Sequence, residues 1–174
     1  MESKNDIQVA SKHPERTAYP SESILYCIKM VEKIVLDHGT NEAISRDDIA
    51  KSLDKAIATV IMKISSCVQY GMLRSQHGKG YFISDLFKKY LQPVYENDEK
   101  NVLLEMFKNP PLYAKLIDNK DNEILPTEER FANLLKGDPY KLNSNSSDKA
   151  ARVFFENVNY LDLIDSHRRF KFHK

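Results

Sequence analysis

The sequence has no tryptophan, only five glycines, and two cysteines in 174 residues. Two cysteines are too few for a disulfide scaffold. Cys27 and Cys67 both fall on apolar helical faces, where reduced core thiols sit. No cluster of cysteine and histidine has zinc-ligand spacing. His77-Gly78-Lys79-Gly80 lacks both the earlier glycine and the Ser or Thr after lysine that a phosphate-binding loop needs. Glu128-Glu129 reads as helix-start charge rather than a catalytic pair. The expectation is therefore no enzyme, no metal and no cofactor. The longest apolar region, Ile24 to Leu36, is broken by Lys29, Glu32 and Lys33, so no membrane span is expected. The polar N-terminus has no apolar signal core, which points to the cytoplasm. Neither sign of charge dominates: 26 Lys and Arg face 25 Asp and Glu. Any argument for nucleic acid must therefore be local.

What is present is organised around Ser45 to Ser84. Ser45-Arg46-Asp47-Asp48 has a capping serine and first-turn acids, so it starts a helix. A second helix runs from near Lys55. Its residues Ile57, Val60, Ile61, Ile64, Cys67 and Val68 recur at three- and four-residue spacing and are expected to form one buried stripe. Tyr70-Gly71 ends it, with Gly71 as a left-handed cap. Met72 to Ser75 and Tyr81 to Ser84 then read as a hairpin with two glycines near its tip.

The rest follows in order. Residues 1–19 read as a flexible polar arm. Pro20-Ser21-Glu22-Ser23 opens a helix with Ile24, Ile28, Val31 and Val35 inward, stopped by His38-Gly39. Asp85 to Leu91 is a short helix ended by Pro93. Helices are expected over Asn97 to Phe107, Leu112 to Ile117, Pro126 to Leu135 and Asp148 to Tyr160, with a polar loop from Lys136 to Ser147. Phe154 is expected in the core. The end of the chain echoes its first half. Val68 to Leu73 has a counterpart in Val158 to Ile164, aligned on Tyr70 and Tyr160 with one extra residue. Arg169 to Phe172 then alternates like a returning strand. The expected organisation is an arm (1–19), a first unit (20–92) and a second, related unit (93–174).

The order helix, helix-turn-helix, hairpin over Ser21 to Ser84 resembles the winged helix-turn-helix superfamily. The chain from Tyr19-Pro20 onward is also similar to a prokaryotic family known only as a domain of unknown function. That likeness rests on Tyr19-Pro20-Ser21, Asn109-Pro110-Pro111-Leu112-Tyr113, Leu125 to Asn133 and Ala150-Ala151-Arg152-Val153-Phe154. It implies a mainly α fold with small β wings, in tandem, and no particular activity.

Winged-helix proteins bind DNA through the second helix of the helix-turn-helix and the wing. On that pattern Lys55 and Lys63 are expected to reach phosphates, and Thr59 and Ser66 phosphates or base edges. Arg74, His77 and Lys79 decorate the first hairpin. Lys149 and Arg152 on the last long helix join Arg168, Arg169 and Lys171 in the basic tail. The expected partner is double-stranded DNA, in transcriptional control. The alternative is a protein-interaction or assembly module, with a protein partner or a second copy. Near-neutral charge and Met62 on the reading face favour that alternative.

Overall fold

The computed structural model describes residues 17–173. The expected arm lies outside them up to residue 16, but its last three residues belong to the fold. Thr17 is buried. The Ala18 carbonyl accepts from the Leu112 N–H at 3.1 Å, and the Tyr19 carbonyl accepts from Gln69 Nε2 at 3.2 Å.

The described chain is mainly helical, with one two-stranded antiparallel sheet. The first half holds α1 (Ile24–His38), α2 (Arg46–Ser52), α3 (Ile57–Gln69), β1 (Leu73–Gln76), β2 (Gly80–Ile83) and α4 (Asp85–Leu91). The second holds α5 (Asp98–Lys108), α6 (Pro111–Lys120), α7 (Glu128–Lys136) and α8 (Ser144–Tyr160). Helix starts follow local chemistry. Ser23, Ser45, Ser84 and Asn143 each accept a first-turn N–H that would otherwise lack a partner. Asn143 explains why α8 begins four residues before the expected Asp148: the polar run Ser144 to Ser147 is a capped first turn, not a loop.

β1 and β2 pair from Leu73↔Ile83 to Gln76↔Gly80. Ile44, just before α2, adds a third rung: its N–H and carbonyl both bond Tyr81, at 2.8 and 2.9 Å. Gly80 is required where this rung crosses. It has φ +104°, and a Cβ there would lie 2.6 Å from the Ile44 carbonyl oxygen.

The second half repeats this order. α6 is followed by Ile124, which bridges Arg169, then by α7, α8 and a tight return in which Ile164 bridges Phe170. The expected second hairpin is thus one short turn held by single bridges rather than a paired ladder. α3 and α8 end alike. Gly71 and Met72 N–H groups bond back to Val68 and Cys67, both at 2.9 Å; Asp162 and Leu163 bond back to Asn159 and Val158 at 3.3 and 2.8 Å. Both are Schellman endings with a left-handed residue, Gly71 at φ +78° and Asp162 at φ +53°. This geometry sets Met72 opposite Leu163 and Tyr70 opposite Leu161. The expected alignment of Tyr70 with Tyr160 is one residue out, and no extra residue exists.

The buried side chains of both halves form one continuous cluster across Gln92-Pro93. Phe154 stacks on Phe131 at 4.8 Å and meets Tyr113 and Phe170 edge-on, both at 5.7 Å. Asn157, fully buried, joins the halves. Its Oδ1 accepts from the Ile24 N–H at 2.8 Å. Its Nδ2 donates to the hydroxyls of Tyr70 (2.8 Å) and Tyr113 (3.1 Å). Tyr70 in turn donates to the Glu22 carbonyl at 2.8 Å. Burial holds both tyrosines above the ordinary phenol pKa, so they stay neutral donors. The two cysteines are buried and unbridged. The contact with Cys67, and then burial, push the Cys27 thiol well up.

Candidate interaction surface on α3 and the hairpin

α3 packs against α1, α2 and β1 and buries Val60, Ile64, Ser66 and Cys67 toward them. Ile57 and Ile61, expected in the buried stripe, are each 43% exposed, and Met62 is 61% exposed. A 3.6-residue period marks an apolar side but not its edge. Here the stripe runs past the elements that cover it. The outward face of α3 therefore presents three large apolar side chains, together with exposed Lys55 and Thr59.

Two of the expected DNA contacts on α3 point elsewhere. Ser66 is fully buried. Its Oγ accepts from the Ser21 N–H at 2.9 Å and the Glu22 N–H at 3.3 Å, so it pins the chain ahead of α1. Lys63 is largely covered and donates to Glu22 Oε1 at 2.7 Å. Its ammonium also lies 4.5 Å from the centre of the Tyr26 ring. Burial draws its pKa down, but the Glu22 carboxylate and Tyr26 more than offset this and hold it above the usual lysine value. Lys63 is a neutralised structural cation, not a free one.

The hairpin keeps its charge. Arg74, His77 and Lys79 are exposed, and the Arg74 guanidinium lies 4.9 Å from the Phe82 ring centre. Arg46 joins them: it is exposed, and its Nε donates to the Tyr81 hydroxyl at 3.2 Å. Sequence reasoning missed Arg46 because its link to the hairpin runs through the Ile44–Tyr81 rung, which no local pattern announces. Arg46, His77 and Lys79 edge a shallow groove of about 460 Å³, and Arg74 lies on the adjoining strand β1. No carboxylate occurs from Met72 to Ser84. Asp48, beside the groove, is engaged by the Ser45 hydroxyl, which holds its pKa below the usual carboxylate range.

The second-half cations are arranged differently. Lys149 and Arg152 are exposed on α8, with Glu156 Oε1 3.9 Å from Arg152 Nε. Arg168 donates to the Leu125 carbonyl at 3.4 Å and the Pro126 carbonyl at 2.9 Å. Arg169 donates to the Asn122 carbonyl at 3.4 Å, and Lys171 to Asn122 Oδ1 at 2.7 Å. These neutral acceptors leave the charges uncancelled, but they fix the side chains to residues 122–126. The tail cations hold the final turn in place.

Among the described residues no three His, Cys, Asp or Glu side chains are grouped to hold a metal ion. No described helix is long and apolar enough to cross a membrane. The chain matches no known protein family, no curated protein and no solved structure.

Proposed function

We propose that this is a tandem winged-helix protein whose first unit docks a protein partner through the outward face of α3. The winged-helix reading is supported by the order α1, Ile44 rung, α2, α3, hairpin, and by its repetition in α6 to Phe170. The docking reading rests on one observation: Ile57, Ile61 and Met62 are exposed where a DNA-reading helix carries polar groups, while Lys63 and Ser66 are turned inward. Bases are read by hydrogen bonding to their edges. Apolar side chains supply no such bonds, but they form the charge-depleted centre of protein interfaces.

A photo-crosslinking residue at position 62, expressed in the native host, identifies the partner. The purified partner is then titrated against wild type and Met62→Asp. The expected result is a cross-linked protein and a loss of affinity of about thirtyfold or more, the size of an interface hot spot. Unchanged affinity for Met62→Asp would overturn the reading.

A second reading has its own support. The carboxylate-free hairpin with Arg46, Arg74, His77 and Lys79 fits a grip on the phosphate backbone of duplex DNA. Binding would then weaken with salt, and removing Arg74 and Lys79 would flatten the log–log salt slope by up to about 2.

A further inference from the structure

We infer that copies of this chain associate head to tail, the basic hairpin of one copy docking on an acidic, tyrosine-rich face of the next. This goes beyond the docking proposal and uses none of the α3 residues. The face is built from α1, the end of α4, the start of α5 and the end of α8. A groove of about 350 Å³ there is lined by Glu96, Glu99, Leu103 and Tyr160, and Lys100 is the one cation among its lining residues. Tyr90 and Glu32 adjoin it. Burial, then Tyr160 and the carboxylates of Glu32 and Glu99, push the Tyr90 hydroxyl up to about 12. Burial, Glu99 and Glu32 raise Tyr160 as well. Lys29 and Lys89 are exposed on α1 and α4, but the charged groups that act on both hydroxyls are carboxylates.

Neither surface is neutralised within its own chain. Among the described residues, Glu32, Glu96 and Glu99 enter no ion pair, and neither do Arg46, Arg74 and Lys79 of the hairpin side. Tyr95, next to Glu96, is 76% exposed, and Tyr160 is 40% exposed. Tyrosine is enriched at protein interfaces. Its ring face attracts a guanidinium or ammonium, and a carboxylate beside the ring adds a charge-assisted hydrogen bond.

Charge complementarity selects a second copy as the occupant. The exposed hairpin tip His77-Gly78-Lys79, with Arg74 and Arg46, offers cations and no carboxylate from Met72 to Ser84. The formal net charge is only +1, so whole copies do not repel one another. Hairpin and face lie on different elements, so a docked copy still presents one of each. Such a contact is heterologous and builds rings or filaments.

The test is sedimentation of the full chain. At low salt its mass should rise with concentration, with a Kd of about 0.1 mM, the weak end expected of a small polar interface. Raising salt to about 0.15 M should weaken association about fivefold. Glu32→Lys with Glu96→Lys, and separately Arg74→Glu with Lys79→Glu, should each weaken it about tenfold or more. All four sites are exposed, so melting temperatures should stay close to wild type. Mixing the two variants sets opposite charges against each other again, and association should return to within about threefold of wild type. Met62→Asp should associate as wild type. A monomeric wild type overturns the inference, and duplex binding by that monomer would assign the hairpin cations to DNA alone. Association that survives either double substitution, or a mixture no better than its parts, overturns it too. So does loss of association in Met62→Asp, because copies would then meet through α3. Neither double substitution touches the α3 face, so affinity for its cross-linked partner is a separate readout and the two proposals fail separately.

Discussion

The two halves of the molecule share a backbone plan and differ in what they show to solvent. α3 and α8 end in the same turn, with Met72 matching Leu163. In that register Ser66 matches Asn157. Both are buried polar side chains, and both accept backbone N–H groups at the start of α1: Ser66 from Ser21 and Glu22, Asn157 from Ile24. The outward positions diverge. Ile57 matches Asp148, Ile61 matches Arg152, and exposed Met62 matches buried Val153. α8 therefore shows that this plan tolerates charge where α3 exposes isoleucine. The apolar face of α3 is not demanded by the fold, which supports the docking proposal.

Four experiments with six substitutions test that comparison, taken from the largest expected effect to the smallest. Phe154→Ala should cost about 3–5 kcal/mol in urea unfolding, as expected for a buried aromatic. The matching Lys63→Ala should cost far less, because Lys63 sits at the rim of its unit. Similar losses would mean the two helices carry equal shares of the core. Next, Asn157→Leu should cost about 3 kcal/mol, since the Ile24 N–H and two tyrosine hydroxyls lose their partner in a buried site. Ser66→Ala should cost about 1–2 kcal/mol. A reversed order would make Ser66 the main pin. Gly80→Ala should cost about 2 kcal/mol through strain and the approach to Ile44. Exchange of the Tyr81 amide should then rise while Phe170 stays protected. Last, Ile61→Ser should change stability by less than about 1 kcal/mol, because its side chain is substantially exposed. A larger loss would return Ile61 to the core and remove the docking face.

The pH dependence separates the halves as well. Lys63 has a raised pKa, so its bridge to Glu22 contributes fully below the ordinary lysine value and is lost as pH rises through the folded one. Asp121 behaves in the opposite sense. Burial alone would raise it, but hydrogen bonds from His173 and the Phe172 N–H hold it below the usual carboxylate range. Its tie to the C-terminal turn is present above the ordinary carboxylate value and lost as pH falls through the folded one.

Much of the first half was legible because its signals are local. Capping serines, first-turn acids, a glycine after Tyr70 and two glycines at a hairpin tip each act within a few residues. The long-range features were not. Ser66 reads as an outward polar residue until Ser21, 45 positions earlier, is brought against it. Ile57 and Ile61 fit the period of the buried stripe, and only the placement of α1, α2 and β1 shows that they are left partly exposed. Tyr70 and Tyr160 suggest a register one residue off the one that the endings of α3 and α8 share. The residues that set the register are Gly71 and Asp162, alike in φ and unlike in chemistry.

The bond from Asn157 to the Ile24 N–H spans 133 residues, and this sets a condition on how the chain acquires its shape. Synthesis delivers α1 well before α8. Until α8 has emerged, the first helix lacks one of its anchors and Tyr70 lacks the amide that addresses its hydroxyl. Long-range closure of this kind slows folding, because loop entropy is lost before the contact forms. A nascent chain ending near Gln92 would hold helical segments without a settled core, exposed to holdase chaperones and proteases as incomplete domains are. Commitment to the native state therefore arrives late, once residue 157 has left the ribosome, and it arrives for both halves at once.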